Sequence, residues 1–177
     1  MPLPWLWESP ERTAGREGEE ETTRIIRSLL RSDDHLITNL SIVYDGRSAE
    51  MDNVIINRNG VFIIEVKNYT GVLSVSENDG EWVQTKISQA GNRYYNQVKN
   101  PVPQVRRQID IMAKHLRFHT PVHVWIQSYI MLMQNNSPVE EPMILTSSQA
   151  IDRAIHTPSQ NHLTPRDAEA LLTLYST

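Results

Sequence analysis

The sequence predicts an α/β domain, a sheet of several short strands covered by helices. Three observations carry that expectation: apolar residues at helical spacing through about 15–31, β-rich segments separated by turns over 35–83, and a second amphipathic run from Asn100-Pro101 to about Phe118. At 177 residues the chain suits one domain with a sizeable core. The absence of cysteine excludes a disulfide framework and thiolate chemistry, and fits a reducing compartment. Residues 1–10 hold Trp5 and Trp7 but no basic region followed by an apolar run, and no segment approaches the length of a membrane span. The expectation is a cytoplasmic protein without a membrane partner.

Residues 1–14, rich in Pro, Trp and Glu without periodicity, read as an arm, and 15–177 as the domain. In the first helix Glu19, Thr23, Ile26 and Leu30 share one stripe, so a carboxylate begins the face that turns toward the core. Gly15 and Gly18 allow close approach there. A strand over 35–44 leads through Asp45-Gly46 into a hairpin, followed by short strands at 72–75 and around Trp82-Val83 with a turn at 77–80, an antiparallel meander. Residues 92–100 are polar and carry no strand signal. Asn100 with Pro101 and Pro103 opens the second long helix, whose expected buried stripe is Val105, Ile109, Met112 and Leu116. Gln104 and Gln108 flank that stripe at i, i+4, as boundary residues or as amides reaching a ligand. His115 and His119 share the same spacing, but no third zinc ligand accompanies them. Residues 122–133 supply one or two strands, 135–138 a turn, 143–145 another strand, 148–155 a short helix, and Thr164-Pro165 opens a final helix.

The hairpin holds the chemistry. Asn59-Gly60 favours a two-residue turn with positive φ at both positions. In that register Arg58 opposes Val61 and Asp52 opposes Lys67, so Asp52, Val54 and Ile56 share a face with Ile63, Glu65 and Lys67. A bulge at Gly60 would slip the pairing by one and separate Asp52 from Glu65. The second strand is apolar on both faces, so it is expected to be covered on both sides, where charges must be paired or bind a metal. A structural ion pair remains the alternative.

The net charge of −4 argues against a general polyanion binder, yet its distribution is uneven. Residues 81–120 hold seven Lys/Arg against two Asp/Glu, while 1–80 hold eight against fourteen. Lys86, Arg93, Lys99, Arg106, Arg107, Lys114 and Arg117 are therefore candidates for phosphate contacts, or form a solvated helix face.

Several motifs then occur in order: Gly15-x-x-Gly18-Glu19, Glu50-Met51-Asp52, Glu65-Val66-Lys67-Asn68-Tyr69-x-Gly71, Trp82 and Asn100-Pro101-x-x-Gln104. This set resembles the NERD, or nuclease-related, domain over about 15–118, with Leu163-Thr164-Pro165 also similar. The family resembles the PD-(D/E)XK nuclease superfamily, which implies a restriction-endonuclease-like central mixed sheet flanked by helices, and Mg²⁺- or Mn²⁺-dependent cleavage of DNA. Met51 stands where the superfamily's name has Pro, a position that supplies no side-chain ligand. The resemblance implies metal ligands at Asp52, Glu65 and the carbonyl of Val66. It also implies Lys67 positioning the attacking water or the phosphate, Glu19 orienting water, and Gln104 completing the wall. Lys99, Arg106 and Arg107 are added as contacts to the DNA backbone. The alternative is a nuclease-like fold that binds nucleic acid or a protein without turnover.

Overall fold

The computed structural model describes residues 9–75, 80–134, 139, 141–159 and 162–176. Trp5, Trp7 and the turn residues expected at 77–79 and 135–138 lie outside the described residues. The first helix, α1 (Pro10–Leu29), starts five residues before the expected Gly15, because Ser9 accepts from the Arg12 N–H and Pro10 occupies the first turn. Residues 10–14 of the expected arm are thus helical. Next come β1 (His35–Tyr44), β2 (Arg47–Asn57), β3 (Gly60–Lys67), β4 (Val72–Val75), β5 (Glu81–Ile87) and β6 (Arg93–Lys99). They are followed by α2 (Val102–His119), β7 (Ile126–Leu132), β8 (Ile144–Leu145), α3 (Ser148–His156) and α4 (Pro165–Tyr175).

The central sheet runs β1-β2-β3-β7-β8, antiparallel through β3 and parallel from β3 to β7 and β8. The parallel β3–β7 pairing requires the crossover that β4–β6 and α2 provide. Helices cover both faces, as expected. Ile111, Met112 and Leu116 of α2 with Ala168 and Leu171 of α4 pack on Met51, Val54, Ile56, Val61 and Ile63. Ile26 of α1 with Ile151 and Ile155 of α3 pack on Ile55, Phe62, Ile64 and Met131. Residues Val61 to Val66 are accordingly all buried, the two-sided burial read from their sequence.

β4, β5 and β6 leave the meander to form a separate antiparallel sheet. Leu73 and Trp82 cover one end of the core with Val102 and Val105. β6 offers little periodicity, since six of its seven residues are exposed and Val98 alone turns toward the core, opposite Trp82.

The hairpin register differs from the expected one. Asn57 pairs with Gly60, Val54 with Ile63 and Asn53 with Ile64, so Arg58 and Asn59 form the loop. Asn59 has no positive φ; Gly60 does, at 137°. The turn is pinned from outside the hairpin. Asn57 Oδ1 accepts from the Asn59 N–H, and both side-chain amides donate to the Ile155 carbonyl. The Trp125 carbonyl lies where a Cβ on Gly60 would sit, 2.5 Å away. The slip is of two residues rather than one, so Val54 and Ile56 still share a face with Ile63 and Glu65.

Candidate active site

The candidate residues meet where β2 and β3 part. The β2–β3 ladder ends at Asn53↔Ile64, and the β1–β2 ladder is interrupted at Asn39 and Asp52 between Thr38↔Asn53 and Leu40↔Met51. Asn39 takes a left-handed conformation at φ 53°. Met51 and Val54 consequently face the same helices, which strict alternation forbids, and Asp52 falls at the half-twist between them. Its Oδ2 accepts from the Val66 N–H at 2.8 Å, replacing the ladder bond that β2 no longer supplies. Asp52 Oδ1 has no hydrogen-bond partner among the described residues. The carboxyl thus caps the splayed strands instead of standing opposite Lys67 on one face, as the expected register had it.

Glu65 is nearly enclosed, at 4 % exposure. Its Oε1 accepts from Lys67 Nζ at 2.9 Å and Gln104 Nε2 at 2.6 Å, and its Oε2 from Gln108 Nε2 at 2.7 Å. Three donors fix the orientation of this carboxylate. Lys67 pairs with Glu65, not with Asp52. Burial depresses the ammonium's pKa, but the adjacent Glu65 carboxylate more than offsets this and the net shift is upward, so Lys67 remains a cation.

Asp52 behaves oppositely. Burial, with the negative charge of Glu65 next in weight and that of Glu19 further down, raises its pKa from 3.8 to about 7, against the Val66 N–H and Lys67, which lower it. Glu19 reaches the cleft from α1, which Arg16, Glu20, Thr23, Thr38, Asn39 and Asp52 also line. α1 can lie this close because Gly18 has no side chain: a Cβ there would stand 2.9 Å from Asn68 Cβ. Asn68 Nδ2 in turn donates to the Ala14 carbonyl. Gly15 has no such neighbour, so only one of the two glycines acts in the close approach.

The structure therefore brings Glu19, Asp52, Glu65, Val66, Lys67 and Gln104 together. It adds Gln108, 2 % exposed, which also donates to the Glu50 carbonyl and takes Ile109's expected place in the buried stripe. Its i, i+4 relation to Gln104 was the signal in the sequence, and the boundary alternative is corrected for this residue. Tyr69, whose pKa is raised by burial with Glu65 contributing, stands beside the cluster and donates to the Lys99 carbonyl. Lys99 is thereby held near the site. Arg107 donates to the Ser48 carbonyl of β2. Arg106, two residues past Gln104 and so about half a turn round the helix, is exposed on its outer side, away from the carboxylates. His115 stacks with Tyr175 and hydrogen-bonds its hydroxyl, and burial lowers its pKa.

Among the described residues no three His, Asp or Glu side chains form a ready-made metal cage. The donor set nevertheless suits a hard cation that needs only one or two carboxylates, keeps its waters and shares phosphate oxygens. Asp52 and Glu65, with Glu19 nearby, offer such carboxylates beside the Lys67 ammonium, and burial, followed by the charge of Glu65, raises the Asp52 pKa.

A family model described as the nuclease-related domain matches residues 14–133, from α1 through β7. An uncharacterized protein of Bacillus anthracis is 30 % identical over 71 residues, 40 % of this chain. That stretch is 34 % of the relative, so the likeness reaches about a third of its length. Every element that contributes a side chain to the cleft lies inside the matched region, and the chain belongs to the nuclease-related domain (NERD) family.

Proposed function

We propose that the protein is a Mg²⁺- or Mn²⁺-dependent deoxyribonuclease that hydrolyses phosphodiester bonds in DNA at the Asp52–Glu65–Lys67 cluster. The observation that carries this reading is the meeting of two carboxylates on adjacent strands: Glu65 fixed in orientation by Lys67, Gln104 and Gln108, and Asp52 bonded to the Val66 N–H beside it. Asp52, Glu65 and the Val66 carbonyl are the residues that would hold the ion. When bound, such an ion polarises the phosphoryl oxygens and makes water a better nucleophile.

The chain's own groups supply the rest. Lys67, held positive by Glu65, offers an ammonium to a non-bridging phosphate oxygen and stabilises charge that grows as the phosphorus is attacked. Glu19, half-buried at the rim, is placed to orient the attacking water from the α1 side. Gln104 and Gln108 act as positioning residues, since the amides fix Glu65 and do not themselves reach into the cleft mouth. Arg107 and Lys99 offer backbone contacts on either side.

The test is incubation with circular and linear DNA, with and without Mg²⁺ or Mn²⁺, beside a Glu65→Ala variant whose fold is verified by circular dichroism. Cleavage by the parent only, and only with the ion, supports the reading; equal cleavage by parent and variant refutes it.

A further inference from the structure

The small sheet carries a feature that the cluster does not use. Leu73, Trp82 and Gln84 are buried and define its inner face. Opposed residues share a face, so the pairings Val72↔Thr85↔Tyr95, Ile87↔Arg93, Val83↔Gln97 and Glu81↔Lys99 define the outer one. Along the edge strand β6 that outer face reads Arg93, Tyr95, Gln97, Lys99, every one exposed, over about 20 Å. Tyr95 is 64 % exposed, with Ile87 at 70 % and Val72 at 46 % beside it. A concavity of about 630 Å³ opens at the Arg93 end of this row, lined by Val72, Thr85, Ile87 and Arg93 from the outer face, by Lys86 and Tyr94 from the other, and by Thr70 and Gly71. Gly71 lines it at φ 78°, where a Cβ would stand 2.3 Å from the Thr85 carbonyl oxygen.

We infer that this outer face binds a single strand of DNA and leads it to the cleft, with Tyr95 stacking on a base and Arg93 and Lys99 meeting phosphates. The inference rests on the proposed nuclease reading and names the form of its substrate. Two properties select a polynucleotide strand as the occupant. The first is charge: among the described residues Arg93 has no ion-pair partner, and Glu81, opposite Lys99, is the one acid on this face. An exposed aromatic ring between cations on a sheet face offers what an unpaired base and its phosphates require, and a duplex keeps its bases stacked on each other. The second is continuity. The Lys99 end of the row is tied to Tyr69, which lies within electrostatic reach of Lys67 and Glu65. The concavity begins at Thr70, three residues past Lys67, and Gln84 donates to the Thr70 carbonyl to hold that bend.

The test is fluorescence anisotropy with a labelled oligodeoxythymidine and with a labelled duplex, in EDTA so that no cleavage occurs. Parent, Tyr95→Ala, Tyr95→Phe and Arg93→Ala are compared, all at solvent-exposed positions where melting curves should be unchanged. Tyr95→Ala is expected to weaken single-strand binding about tenfold, with Tyr95→Phe close to the parent and duplex binding unaffected. Arg93→Ala should flatten the slope of log K against log salt by about 0.7. Failure of the parent to bind the single strand, or single-strand binding by Tyr95→Ala equal to the parent's, overturns the inference. So does an equal loss for duplex and single strand. The two readings separate cleanly: Tyr95-dependent binding without cleavage in Mg²⁺ or Mn²⁺ removes the hydrolase and keeps the platform, while cleavage without Tyr95-dependent binding does the reverse.

Discussion

Replacing Asp52 by Asn should make the metal-free protein more stable, and only at high pH. The carboxyl's ordinary value of 3.8 becomes about 7 in the folded chain. The native state therefore binds the proton more tightly than the unfolded one. Its stabilising contribution is complete below pH 3.8, declines as pH rises, and is gone above about 7. At about 1.4 kcal/mol per pH unit, the difference amounts to on the order of 4 kcal/mol across that window. Solvent on the open side of the cleft screens part of it, leaving about 2 kcal/mol. Asn does not titrate, and its amide oxygen can still accept from the Val66 N–H. Urea unfolding in EDTA should show Asp52→Asn about 2 kcal/mol more stable than the parent near pH 8, with the gap closing toward pH 5. A gap of the same size at both pH values, or a parent that is the more stable near pH 8, would refute the electrostatic account of the cleft.

Further outcomes follow from single contacts. Gln108→Ala leaves Glu65 Oε2 and the Glu50 carbonyl without their donor and should cost about 1–3 kcal/mol in urea unfolding, an effect absent if the amide is only a boundary residue. Gly15→Ala and Gly18→Ala, on the same helix, should differ in sign. The first gains up to about 1 kcal/mol of helix propensity in open space, while the second drives α1 from Asn68 and destabilises; equal melting shifts would contradict the close approach. His156 bridges Asp34 and Asp152 at 2.7 Å each, with the Asp34 side chain 2 % exposed. His156→Ala removes one donor from that buried carboxylate, which keeps the Arg31 N–H, and should cost about 1–3 kcal/mol by thermal melting, so an unchanged Tm would show that the bridge is dispensable.

Much of this was legible in the residues, for identifiable reasons. The bounds of β1 and the two-sided burial of β3 follow from local pattern, and α2 differs from its expected end by one residue. The hairpin register was misread because what sets it lies elsewhere in the chain, in the Ile155 carbonyl that takes both asparagine amides and the Trp125 carbonyl against Gly60. Because the slip is even, Val54 and Ile56 keep the face expected of them beside Ile63 and Glu65, while Asp52 does not stand opposite Lys67. The reversal at Asp52 depends on Asn39 across the ladder, which no period within β2 reveals. Gln104 and Gln108 look alike in sequence; one is half-buried and the other enclosed because Glu65 and Glu50 happen to face it. β6 escaped detection because an edge strand without a buried row has no alternation to read.

The central claim is that Asp52 and Glu65 together form the seat of a divalent cation. Calorimetric titration of Mn²⁺ into the parent, Asp52→Asn and Glu65→Gln tests it without any substrate. The account predicts one site in the parent, with binding that strengthens as pH rises through about 7, and loss of that site in both variants. Binding of Mn²⁺ to either variant with the parent's affinity, or none to the parent, would contradict it.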